Sequence, residues 1–80
     1  MRATVLVRPK QGIRDPQGDA VEHSLLKLGF DVSLVRIGRV IDLEVGAADE
    51  AAARAEIERM CEALLANPLI ESFDVTLEES

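Results

Sequence analysis

The chain has 80 residues, with 15 acidic and 9 basic side chains and a formal net charge of -6 at pH 7. Nucleic acid and anionic membranes are therefore excluded as expected partners, because both are bound through basic surfaces. The single cysteine, Cys61, cannot form an intramolecular disulfide or a cysteine-rich metal site. No apolar run approaches the ~20 residues of a membrane span, and no signal peptide pattern is present. We therefore expect a cytoplasmic protein.

The length also limits what the fold can contain. Residues 1–80 are expected to form one domain, and a chain of this size buries only about 60% of the surface that its unfolded form exposes. The apolar residues are mostly Val, Leu, Ile and Ala, with Phe30 and Phe73 as the aromatic ones. We therefore expect no deep cleft, and we expect self-association to supplement a small core.

The first half of the chain predicts a strand and then a helix. Residues 3–8 alternate with a period of two and end at Pro9, which has no N–H to donate to a neighbouring strand. Asp15 is placed to cap a helix that begins at Pro16 and ends at Gly29.

Residues 32–45 predict the centre of the fold. Two runs with a period of two meet at Gly38, which favours a hairpin that turns at residues 36–39. Residues 47–66 follow as the clearest amphipathic helix, capped by Asp49 or a neighbour and broken at Asn67 and Pro68. Residues 69–77 predict the last strand, and residues 78–80 a frayed end.

The predicted order βαββαβ is typical of the α+β ferredoxin-like two-layer sandwich, an antiparallel sheet with two helices on one face. One set of apolar positions is assigned to the helix-covered face: Val5, Val7, Val35, Ile37, Ile41, Leu43, Phe73, Val75 and Leu77. The opposite face mixes polar residues with four apolar ones, which makes it a candidate protein contact. Its self-association candidates are Leu6, Leu34, Val40 and Ile70.

The sequence offers no catalytic constellation. His23 has no base, nucleophile or carboxylate pair placed beside it, and Cys61 lies on the apolar stripe of the second helix. The acidic residues of that helix match no metal-ligand pattern, so no catalytic or metal-binding residue is predicted. Basic residues in two loops favour ordinary turn chemistry, or a docking site for carboxylates or a phosphorylated ligand; they are Lys10, Arg14, Arg36 and Arg39.

Fold class alone leaves two further functions open. An acylphosphatase-like hydrolase would hold phosphate in a Gly-rich first loop, but Asp15 would repel phosphate from residues 12–18. A free-standing small-molecule-binding regulatory domain is the other alternative, and it depends on fold analogy alone.

Four segments in order resemble one family over essentially the whole chain. They are DPQG at 15–18, LGF at 28–30, VRIGR at 35–39 and LLANPLIE at 64–71. Together they are similar to the PurS subunit of phosphoribosylformylglycinamidine synthase, which acts in purine biosynthesis. Arg39 departs from the family pattern, in which lysine is common, and keeps the charge.

The resemblance implies a non-catalytic adaptor subunit of an ATP- and glutamine-dependent ligase. Its partners would be a PurL-type synthetase subunit and a PurQ-type glutaminase subunit, and it would form a homodimer or tetramer. No cofactor is expected on this chain, because ATP and Mg²⁺ would bind at the synthetase. The candidate partner contacts are Asp15, Pro16, Gln17, Gly18, Arg36, Gly38 and Arg39; capping of the first helix is an equal explanation for residues 15–18.

Overall fold

The computed structural model describes residues 1–78, which form three strands and two helices. In chain order the elements alternate between strand and helix, and the second helix continues through a π-helical turn at Cys61–Leu65. They are β1 (Arg2–Pro9), α1 (Pro16–Lys27), β2 (Arg39–Glu44), α2 (Glu50–Met60) and β3 (Glu71–Glu78).

The sheet has β1 at its centre. It pairs antiparallel with β2 on one side and with β3 on the other, so Val5 lies between Ile41 and Val75. Alternate residues of β1 are fully buried beneath α2, as the period of two predicts. The last strand is longer than predicted at its end, because Glu78 still pairs with Arg2; residues 79 and 80 lie outside the described part of the chain. The buried core consists of Ala3, Val5, Val7, Val45, Ala53, Ile57, Cys61 and Ala66.

Helix α2 supplies the second layer of the core. The side chain of Asp49 accepts a hydrogen bond from the Ala52 N–H at 2.8 Å, which confirms the predicted cap. Ala53, Ile57 and Cys61 have no exposed surface, because their spacing places them on the side of the helix that faces the sheet.

The predicted hairpin at Gly38 is wrong. Residues 32–37 are not a strand and pair with none of the three strands, although β2 follows directly. Gly38 does not have the positive φ that was expected of a tight reversal, whereas Leu34 does, at 55°. Leu34 thus interrupts the extended backbone that the period of two predicted, and the alternation carries no information about which strand a segment pairs with.

Helix α1 forms where it was predicted, but it does not pack on the sheet. Gly29 has a φ of 95°, in keeping with its C-terminal role. The one buried residue of α1 is Gly18, while Val21 and Leu26 are 39% and 48% exposed. The chain is elongated, 50 × 26 × 15 Å, because this part extends away from the sheet. The α+β ferredoxin-like class is confirmed, with α2 as the helix that covers the sheet in this chain.

Candidate interaction surface

Asp15 joins the start of α1 to the residues that precede β2. One carboxylate oxygen accepts a hydrogen bond from the Gly18 N–H at 3.0 Å, and the other accepts one from the Ile37 N–H at 2.7 Å. These backbone hydrogen bonds, that from Ile37 most strongly, hold the pKa of Asp15 below its usual value. The predicted capping role is confirmed, and the same side chain also binds the backbone of Ile37, 22 residues further along the chain.

The returning segment lies directly against α1. A Cβ added to Gly18 would sit 2.2 Å from the carbonyl oxygen of Val35, so no side chain fits there. The Val35 N–H donates to the Glu22 carboxylate at 3.3 Å. We call residues 16–37 the arm, because α1 and the segment that returns beside it form one projecting unit.

Arg36 fixes the loop after β1. Its Nη2 donates to the carbonyl oxygens of Pro9 at 2.9 Å and Lys10 at 2.6 Å. The guanidinium therefore satisfies two backbone carbonyl groups at the end of β1. These hydrogen bonds attach the base of the arm to the sheet.

Arg39 connects three elements. Its Nη1 donates to Oε2 of Glu71 at 2.8 Å, and its Nη2 donates to Oε1 of Glu71 at 3.0 Å and to the carbonyl oxygen of Leu65 at 2.6 Å. The hydrogen bonds from Arg39, followed by one from the Asn67 N–H, lower the pKa of Glu71, and Glu71 in turn raises the pKa of Arg39. This paired fork is more specific in geometry than a single-contact ion pair.

An open hollow of about 1070 Å³ lies beside these arginines. It brings together three predicted self-association residues, Leu6, Leu34 and Val40, with the predicted partner contacts Arg36 and Arg39. We call it the arginine hollow. The two kinds of predicted contact therefore share one surface, although they were predicted on separate features.

A smaller hollow of about 360 Å³ adjoins the arginine hollow and shares Pro9, Gly38 and Arg39 with it. Its lining adds four of the remaining candidates, and the fifth, Gly18, is buried against the carbonyl oxygen of Val35. Every predicted contact residue is thus at or beside one end of the sheet. The candidates in the smaller hollow are Asp15, Pro16, Gln17 and Ile70.

The thiol of Cys61 and the imidazole of His23, which could act as a nucleophile or a base, line neither hollow. Cys61 is buried in the core, and burial, with smaller effects of Glu58 and Glu62, raises the pKa of its thiol, so the nucleophilic thiolate is disfavoured. His23 is exposed on α1. Within residues 1–78 no group of three His, Cys, Asp or Glu side chains is placed to hold a metal ion, and no helix is long and apolar enough to cross a membrane.

Sequence reasoning missed Glu71 and Glu22. Glu71 alternates with Phe73 along the last strand, and nothing in this spacing indicates a bond to Arg39, 32 residues earlier. The carboxylate of Glu22, a charged residue of α1, accepts the hydrogen bond from the Val35 N–H, and no motif pointed to this contact. An acidic residue at an otherwise apolar position of β3 was the one available signal.

Comparison with known proteins gives a consistent result over the whole chain. The family model PurS, phosphoribosylformylglycinamidine (FGAM) synthase, matches residues 2–79. A relative from Synechocystis sp., the PurS subunit of phosphoribosylformylglycinamidine synthase, is 46% identical over 81 residues, which cover 98% of this chain and 79% of the relative.

Solved structures agree with the sequence matches. A crystal structure of Bacillus subtilis PurS superposes with a TM-score of 0.89 at 37% identity and covers 98% of both chains. A chain in the structure of PurLQS from Thermotoga maritima has a TM-score of 0.83 at 33% identity and covers 94% of this chain and 93% of that one. These matches do not favour a free-standing regulatory domain.

Proposed function

The chain belongs to the PurS family of phosphoribosylformylglycinamidine synthase, and from this premise we propose that it is the adaptor that bridges the glutaminase and synthetase subunits of that ligase. The reaction uses ATP and glutamine to amidate formylglycinamide ribonucleotide in purine biosynthesis. The family membership over nearly the whole chain is the observation that carries this proposal. In this proposal the chain acts as a non-catalytic subunit, and its role is to position the two catalytic subunits.

The proposed partners are a PurL-type synthetase and a PurQ-type glutaminase in the cytoplasm, with ATP and Mg²⁺ bound at the synthetase. The similarity to a chain in the Thermotoga PurLQS structure supports this assembly. An adaptor that holds the two active sites together would shorten the path of ammonia and limit its escape to water, where it becomes protonated.

We further propose that the hollows at the end of the sheet contact these subunits. Pro16 and Gln17 are exposed and line the smaller hollow, whereas Arg36 and Arg39 are exposed and line the arginine hollow, so all four side chains are accessible to a partner. Asp15 and Gly18 support this surface indirectly, because they hold α1 against the returning segment at Val35 and Ile37. Gly38 keeps the backbone close to the carbonyl oxygen of Val7.

The chain is also proposed to self-associate as a homodimer, or as a dimer of dimers. Leu34 and Val40 are 87% and 59% exposed, and Ile70 is 44% exposed. Leu6 of β1 is paired with Val40, lines the arginine hollow with Leu34 and Val40, and is partly buried. Exposed apolar side chains clustered at one end of a small domain favour a protein contact.

The test is amidation by the PurL-type and PurQ-type subunits of the same organism, with and without this chain, using either glutamine or an ammonium salt as the nitrogen source. We expect the chain to be required with glutamine and largely dispensable with ammonium. Equal rates with and without the chain in both assays would overturn the adaptor role. Leu69→Ala is the control variant, because Leu69 is exposed and lines neither hollow. We expect it to support glutamine-dependent amidation as well as the unaltered chain does.

A further inference from the structure

The face of the sheet that α2 does not cover differs in charge between its two ends. We call it the open face; β1 contributes its even-numbered residues to it, because the alternate ones are buried beneath α2. At one end Arg2 lies opposite Glu44 of β2 and Glu78 of β3, and at the other end Arg8 lies opposite Ser72. Within residues 1–78, every carboxylate that β2 and β3 present on this face lies opposite residues 2–6 of β1. The end at Arg8 is therefore the basic one.

The arginine hollow lies at this basic end. Its lining includes Arg8, Arg36 and Arg39 and, in the part of the chain that the structure describes, no aspartate or glutamate. The chain as a whole has 15 acidic and 9 basic side chains, so the hollow has the opposite charge balance. A concave surface lined by charges of one sign concentrates their potential. The hollow therefore attracts anionic groups.

Arg8 is the guanidinium that the fold leaves available in the hollow. Among residues 1–78 it takes part in no side-chain hydrogen bond or ion pair. Arg39, by contrast, is bound to Glu71, and Arg36 donates through Nη2 to two carbonyl oxygens but leaves Nη1 and Nε without an acceptor in the same range. Two guanidinium groups can thus donate to an incoming carboxylate, in the paired geometry that arginine favours.

The hollow also has an apolar floor. Leu6 and Val40 pair across β1 and β2, and Leu34 lines the same hollow from the arm. Val40 and Leu34 are largely exposed in the described chain. The hollow is open, whereas a small-molecule site encloses most of the surface of its ligand. A polypeptide segment that carries both carboxylate and apolar side chains therefore suits it better than a small anion does.

The carboxylates on the open face of this chain are poorly placed to supply that segment. Asp42 accepts a hydrogen bond from Thr4 Oγ1 at 2.9 Å, and Glu44 and Glu78 lie beside Arg2 of their own copy. A second copy would have to give up these neighbours in order to place its carboxylates in the hollow. A different subunit is the better source.

We propose that the arginine hollow binds an acidic segment of one of the catalytic subunits. Carboxylates of that segment pair with Arg8 and with the unused donors of Arg36, and its apolar side chains pack on Leu6 and Val40. This inference rests on the adaptor role proposed above. It adds Arg8 as a contact residue and states the chemistry of the segment that the hollow recognises.

Arg8→Gln and Arg2→Gln form a matched pair of variants that tests the contact. Both arginines are exposed and lie on the same face of β1, about 20 Å apart along the strand. The measurement is the concentration of each variant that gives half-maximal glutamine-dependent amidation with the PurL-type and PurQ-type subunits, at low and at raised salt. We expect Arg8→Gln to raise this concentration about tenfold at low salt and to weaken its dependence on salt. Arg2→Gln should change it less than about twofold.

A zero-length cross-link identifies the bound group. A water-soluble carbodiimide joins a lysine amine to a carboxylate in direct contact, and mass spectrometry locates the linked residues. In the assembled complex of an Arg8→Lys chain, we expect the introduced lysine to link to an aspartate or glutamate of the PurL-type or PurQ-type subunit. Arg2→Lys is the control, and its lysine should link within the chain, to Glu44 or Glu78.

The proposal is overturned if Arg8→Gln supports amidation at the same concentration as the unaltered chain, or if the lysine at position 8 links to no carboxylate of a catalytic subunit. A link to a second copy of this chain alone also overturns it, because the hollow is then a contact between copies. Failure of the adaptor role is a different result, in which the unaltered chain itself is not required with glutamine. A chain that is required but tolerates Arg8→Gln contradicts only the occupant proposed for the hollow.

Discussion

Arg39 and Glu71 join the two outer strands of the sheet across the end of β1, with guanidinium-to-carboxylate distances of 2.8 and 3.0 Å. Glu71 is the more enclosed partner, with 16% of its side chain exposed against 48% for Arg39. Glu71 also accepts the Asn67 N–H at 2.7 Å, so one carboxylate ties β2 to the connection between α2 and β3.

The first prediction concerns the acid stability that this pair confers. The pKa of Glu71 is lowered in the folded chain from its ordinary value of 4.5, so the unfolded chain binds the proton more readily. The stabilisation is complete above about pH 4.5 and is lost as the pH falls through the lower folded pKa. We expect urea unfolding to show a steeper loss of stability below pH 4.5 in the unaltered chain than in Glu71→Gln, at one fixed protein concentration.

Glu56→Gln is the matched control, because Glu56 lies on α2 and takes part in no ion pair among the described residues. Its acid dependence should follow that of the unaltered chain. Identical acid slopes for Glu71→Gln and the unaltered chain would refute the linkage.

The second prediction concerns Asp15 as the fastening of the arm. Asp15→Asn removes the charge that two N–H groups face, so we expect faster amide hydrogen exchange at Ile37 and Gly18. Asp49→Asn is the control, because Asp49 caps α2 alone and should change exchange only near Ala52. Residue-resolved NMR exchange at neutral pH measures both; unchanged protection of Ile37 in Asp15→Asn would contradict this role.

The third prediction uses two glycines. Gly→Ala within a helix ordinarily stabilises by about 0.5–1 kcal/mol. At Gly18 the added methyl would meet the carbonyl oxygen of Val35 at 2.2 Å, so we expect Gly18→Ala to lower the thermal midpoint. Gly46→Ala meets nothing within 4 Å and should leave the midpoint unchanged or raise it. A raised midpoint in Gly18→Ala would mean that Val35 does not lie against α1.

The fourth prediction concerns the core beneath α2. Ile57 has no exposed surface, and Ile57→Ala is expected to lower the free energy of unfolding by about 2–5 kcal/mol, because it leaves a cavity against β1. Leu64→Ala, at a residue 83% exposed, should change it by less than about 0.5 kcal/mol. Chemical denaturation of both variants measures the difference, and similar losses would show that α2 faces the sheet differently.

The sequence by itself determined the local structure. The caps formed by Asp15 and Asp49 and the ends of the helices near Gly29 and Asn67 are set by interactions between neighbours along the chain. The alternation of apolar residues in β1 and β3 marks in advance which face of each strand can be buried. The family also followed from sequence, because its segments lie in order over the whole chain. The predicted contact residues agree with one another to the extent that they all lie at or beside one end of the sheet.

The tertiary structure alone decided what residues 32–37 lie against and where α1 is placed. Period-two alternation indicates which side chains share a face, and the same alternation occurs in a strand of a hairpin and in a segment that joins no strand of the sheet. The choice depended on close contacts between distant residues, Gly38 against Val7 and Asp15 with Ile37. Arg39 and Glu71 meet for the same reason, since residues 32 positions apart come together only when β2 and β3 both pair with β1.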